Sequence, residues 1–91
     1  MRIMINDPVG RMSGMVVGET LGVDYDVYFK FRDLDGKTGQ ETIPVLQEAV
    51  EKISTNTEND YENRIRERMI DILSNLLNLA REHPDGIWRV S

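Results

Sequence analysis

The stretch Asp35-Gly36-Lys37-Thr38-Gly39-Gln40-Glu41-Thr42-Ile43-Pro44-Val45-Leu46 is where the chain changes its period. Before it, polar and apolar side chains alternate; after it, apolar residues recur every three or four positions. Asp-Gly tolerates the positive φ angles of a two-residue hairpin turn, so Asp35-Gly36 predicts a reversal and Thr38 to Ile43 a returning strand. Pro44 lacks an N–H, which the first turn of a helix leaves unpaired in any case, so a helix is expected to start there. Strands over 1–43 and helices over 44–83 make this an α+β chain: a small antiparallel or SH3-like barrel sheet, followed by two α-helices.

Upstream, Val23-Asp24-Tyr25-Asp26-Val27-Tyr28-Phe29-Lys30-Phe31-Arg32 is the clearest strand pattern. Val23, Tyr25, Val27, Phe29 and Phe31 fall on one face, with Asp24, Asp26, Tyr28, Lys30 and Arg32 on the other. One wet side argues for an antiparallel sheet. Ser13 to Leu21 reads as the preceding strand, joined through Leu21-Gly22, and Arg2 to Ile5 as a short first one. Downstream, Val45, Leu46, Ala49, Val50 and Ile53 give the first helix one apolar stripe. Ser54 to Asp60 is polar and reads as a loop, with Thr57, Asn59 or Asp60 able to cap a second helix from about Tyr61 to Arg81. His83-Pro84-Asp85-Gly86 stops that helix, and residues 84–91 are expected to add a last strand or to dock as a tail. The expectation is a single domain over residues 1–91.

The chain has 91 residues, with 11 Lys and Arg against 16 Asp and Glu, and no Cys. Cysteine-free composition excludes disulfides and thiolate metal sites and fits a reducing compartment, so a cytoplasmic location is expected. Apolar runs reach only three residues, as at Met15-Val16-Val17, too short for a membrane span or a signal peptide. Residues 1–43 carry 5 basic and 7 acidic side chains and residues 44–91 carry 6 and 9. Neither half has the clustered cations that phosphate neutralisation needs, so no direct nucleic-acid binding is expected.

Asp7-Pro8-Val9-Gly10-Arg11-Met12-Ser13-Gly14-Met15-Val16-Val17-Gly18, with the alternating strand ending at Phe29 and the turn Asp35-Gly36, resembles the KOW and SH3-like small barrels over residues 2–46. Those families set a turn with Gly and a basic residue before a Gly-x-Val-Val strand. The resemblance implies a five-stranded barrel that serves as an interaction platform for proteins or RNA. Here the wet strand face carries Asp24 and Asp26, which argues against RNA.

Chemical motifs mostly fail. Gly36-Lys37-Thr38 imitates the end of a phosphate loop, but Phe31 stands where that loop needs Gly and the segment is expected in a hairpin. Asp33-Leu34-Asp35-Gly36 imitates part of a calcium loop, yet its first and last ligand positions would be Phe31 and Thr42. Asp24 and Asp26 lie on one strand face and read as solvated. The single histidine, His83, has no adjacent nucleophile and is expected to interact with the last carbonyls of the second helix. No catalytic residues, cofactor or metal are therefore expected.

On the second helix Tyr61, Ile65, Met69, Ile72, Leu73, Leu76, Leu79 and Ala80 form a stripe, which Ile70 and Leu77 widen to about half the cylinder. The favoured reading packs this helix between the sheet and the first helix. The sharper reading makes Ile70 and Leu77 a surface for a target or for a second copy in a homodimer. Arg64, Arg66 and Arg68 are interleaved with Glu62, Glu67 and Asp71, as on a salt-laced solvent face. The expected function is a non-enzymatic protein-binding module with an acidic surface. The alternative is a small inhibitor, of a phage-type anti-defence or nucleic-acid-mimic kind, whose Asp24, Asp26, Asp33 and Asp35 imitate phosphates and block a nucleic-acid-binding enzyme.

Overall fold

The computed structural model describes residues 1–17, 29–55 and 63–91, with side chains from residue 66 onward in the last segment. Arg2–Asn6 forms strand β1 and Met12–Val16 strand β2, paired antiparallel. The Asp7 side chain organises the turn between them: its Oδ1 accepts from Val9 N at 2.8 Å, while its carbonyl accepts from Gly10 N at 2.9 Å. Aspartate favours turns because its short carboxylate reaches its own downstream amides. Ile87–Val90 forms β3, antiparallel to the other side of β1, giving the order β2-β1-β3. The tail is thus a true strand. Among the described residues this sheet is open, and no barrel closes.

The segment between the second and third strands departs from the sequence reading. Phe31–Leu34 is a short 3-10 helix instead of the end of a strand. Phe31 is fully buried, and half-buried Phe29 packs edge-on against it with ring centroids 5.1 Å apart. Both are core residues as expected, though through a helical turn. Val23, Asp24, Tyr25, Asp26, Val27 and Tyr28 lie outside the described residues. Gly36 adopts φ +82°, which the Asp-Gly pair signals, but the chain leaves this turn into a helix. Helix α1 spans Gly39–Thr55, so the strand expected from Thr38 to Ile43 does not form.

The hydrogen bonds explain why. The first four amides of a helix have no partner within it and must find one elsewhere. Gly39 N donates to Gly86 O at 2.8 Å, Gln40 N to Pro84 O at 2.9 Å and Glu41 N to Thr38 Oγ1 at 3.2 Å, while Thr42 N to Thr38 O at 3.3 Å is the helix's own first bond. Thr38 is the N-cap, and Thr38-Gly39-Gln40-Glu41 has the Thr-x-x-Glu spacing of a capping box. That signal outweighs the proline. Pro44 is the sixth helical residue, and the carbonyl it leaves without its usual donor belongs to exposed Gln40, where water can serve.

Helix α2 spans Asn63–Glu82, close to the expected bounds. Its end meets the start of α1 at Gly39, where a Cβ would run into the carbonyls of His83 and Ala80, so the approach requires glycine. One core joins every described layer: Ile3 and Ile5 of β1, Val17, Phe31, Leu34, Leu46 of α1, Met69, Ile72, Leu73, Leu76 and Ala80 of α2, and Trp88 of β3. Trp88 is fully buried, and its Nε1 donates to the buried Thr42 hydroxyl at 2.8 Å, which in turn donates to Gly39 O at 2.8 Å. A buried indole N–H needs such an acceptor. This chain of two bonds ties β3 to α1.

Candidate functional site

Opposed residues in an antiparallel pair point to the same side, so the register sorts the sheet into two faces. Met15, Ile3 and Val90 form one inner row and Ser13, Ile5 and Trp88 the next. This face is covered by the helices. The outer face presents Val16 beside Arg2, then Gly14, Met4 and Arg89, then Met12, Asn6 and Ile87. Met12 and Val16 are each 63 % exposed and Ile87 41 %. Three of the most exposed large apolar residues among those described therefore share one surface. Gly14 has no side chain to hold off its cross-strand partner, and the Met4 sulfur lies over it.

The charges on this face have one sign. Arg2 and Arg89 are exposed, diagonal neighbours, and neither has an ion-pair partner among the described residues. No side-chain carboxylate stands in the outer rows, although the whole chain has a formal charge of −5. Met and Arg are enriched and acidic residues depleted in protein interfaces, the thioether because it adapts its shape and the guanidinium because it gives up its hydration readily. Asn6 adds an Oδ1 that is buried and has no hydrogen-bond donor among the described residues.

Comparison with models of protein families, with curated proteins and with solved structures finds no match to this chain. Its function is therefore argued from this geometry.

The acidic row proposed from the sequence is not assembled by the described residues. Asp24 and Asp26 lie outside them. Asp35 is exposed, but its Oδ1 accepts from Val90 N at 3.0 Å and so closes the free edge of β3. Asp33 is exposed on the 3-10 helix and lines a hollow of about 290 Å³ between that helix and α1, beside Lys30 and Lys37 and over Phe29, Leu34 and Val45. Two ammonium groups beside one carboxylate do not imitate a row of phosphates.

The widened edge of α2 also divides. Leu77 is half-buried and packs against the core. Ile70 is half-buried on the flank. Met69, Ile72, Leu73, Leu76 and Ala80 carry the deep packing, in agreement with the favoured reading of the stripe.

His83 does not turn to the helix carbonyls with its ring. Its Nδ1 lies 3.1 Å from Asp7 Oδ2, linking the β1–β2 turn to the end of α2. The Asp7 carboxyl is held below its ordinary value, first by the Val9 amide and then by the hydrogen bond with His83. The phosphate-loop imitation does open a helix, contrary to the hairpin expectation, yet the Gly39, Gln40 and Glu41 amides at its start are already bonded within the protein instead of facing a phosphate. Among the described residues no group of three or more His, Asp or Glu could hold a metal ion. No described helix is long and apolar enough to cross a membrane.

The outer face had a readable signal. Arg2-Ile3-Met4-Ile5 and Gly14-Met15-Val16-Val17 are apolar on both alternations, whereas a sheet with one wet side should alternate cleanly. Two-sided apolar strands in a sheet covered on one side leave apolar surface to be used.

Proposed function

We propose that the chain is a non-enzymatic protein-binding module whose working surface is the outer face of the sheet. The observation that carries this reading is the clustering of Met12, Val16 and Ile87, all exposed, around Met4 on the face opposite the core. Isolated exposed apolar residues are ordinary; a contiguous set on a flat sheet is the mark of a contact surface. Among the described residues the core is built on the inner face, and Met12, Val16 and Ile87 take no part in it.

The test is capture from the native host with chemical crosslinking, comparing the wild type with Met12→Glu/Val16→Glu. Both side chains are exposed, so the variant should keep its thermal midpoint. Loss of the crosslinked protein with an intact fold supports the reading. Undiminished capture of the same protein overturns it.

A further inference from the structure

Resting on the assignment of the outer face as a contact surface, we infer that its occupant is a protein segment that carries carboxylates between apolar side chains. The argument is charge complementarity on a defined grid. The only ionised side chains in the three outer rows are the guanidiniums of Arg2 and Arg89. They stand diagonally across β1 and β3, Arg2 in the row of Val16 and Arg89 in the middle row beside Met4. Like charges this close repel, and a carboxylate bridging them would be favoured by both. The remaining positions, Met4, Met12, Val16 and Ile87, form an apolar strip beside them, with only Asn6 polar among them.

A second copy of the chain does not fit this surface well. A two-fold pairing of outer faces would place four guanidiniums in one interface with no side-chain carboxylate from either grid to neutralise them, and uncompensated charge in an interface is costly. The occupant must bring the negative charge itself. A bound carboxylate would also gain from the flanking apolar contacts, which exclude water and strengthen the ion pair.

The experiment titrates the isotope-labelled full chain with a blocked Glu-Leu-Glu-Phe-Glu-Leu-Glu peptide, with the matching peptide bearing Lys at each Glu, and with vesicles of phosphatidylcholine and phosphatidylserine. The expected result is amide shifts confined to β1, β2 and β3 with the acidic peptide. Affinity should fall about tenfold or more in Arg2→Glu/Arg89→Glu and weaken as salt rises. In that variant the lysine peptide should bind in place of the acidic one. Preference of the wild type for the lysine peptide on the same face overturns the acidic occupant while leaving the contact surface standing. Binding of the vesicles with neither peptide bound makes the ligand an anionic lipid surface and overturns the proposal. Shifts elsewhere, or no binding at all, also overturn it; capture lost in Met12→Glu/Val16→Glu would then still uphold the contact surface.

Discussion

The two faces of the sheet are built from alternate residues of the same three strands, yet they answer to different demands. On the inner face Ile3, Ile5 and Trp88 are all fully buried, and each is needed to close the core against α1 and α2. On the outer face Met12, Val16 and Ile87 remain exposed. Burial accounts for the first set and not for the second. Apolar surface that folding does not consume is where association is to be sought.

The largest effect expected from breaking this contrast lies on the inner face. Trp88→Ala should cost about 3–5 kcal/mol, comparable with the total stability of so small a domain, and leave the chain largely unfolded by circular dichroism. Outer-face Val16→Thr, at the position paired with Arg2, should stay within about 0.5 kcal/mol of wild type. Similar losses at both sites would erase the distinction between the faces.

Next in size is the hydrogen bond beneath the inner face. Thr42→Val keeps the side-chain shape but leaves Trp88 Nε1 buried without an acceptor, at a cost of about 1–3 kcal/mol in denaturant unfolding. An unchanged midpoint would mean that the indole finds another partner. Leu77→Glu sharpens the same contrast from the helix side. Because Leu77 packs against the core, the substitution should lower the thermal midpoint. A stable variant that shifts from dimer to monomer would instead restore the second helix as an interface.

The smallest expected effect is in acid. Asp7 has a folded-state pKa below its unfolded value, so its contribution to stability is present above the ordinary carboxylate range and is lost as pH falls through the lowered value. Asp7→Asn should flatten the acid limb of the stability profile below about pH 4, with little change in its shape at higher pH, where the carboxyl groups are ionised. An identical acid limb would show that the turn does not hold the carboxylate as described.

Much of the fold was legible. The strands at either end, both helices and the α2 stripe follow from period and punctuation, because burial of one face imposes the period directly. Two parts were not. Pro44 signals a helix start five residues beyond the actual one at Gly39, where the Thr38-to-Glu41 capping box and the loop carbonyls of Pro84 and Gly86 supply the partners. The last two are contributed from more than forty positions away, and no local pattern announces them. The contact face was missed for a related reason. Whether Met12 and Val16 lie inside or outside depends on which side of the sheet the helices cover, and that is settled only by tertiary packing of Ile3, Ile5 and Trp88.

The most direct test of the outer face as a contact surface is methionine-oxidation footprinting of the chain alone and crosslinked to its captured partner. Met12 is 63 % exposed and should oxidise rapidly in the free chain, whereas buried Met69 should resist in both samples. The account predicts that Met12 becomes protected in the complex while Met69 is unchanged. Equal oxidation of Met12 in the free and bound chain would contradict it.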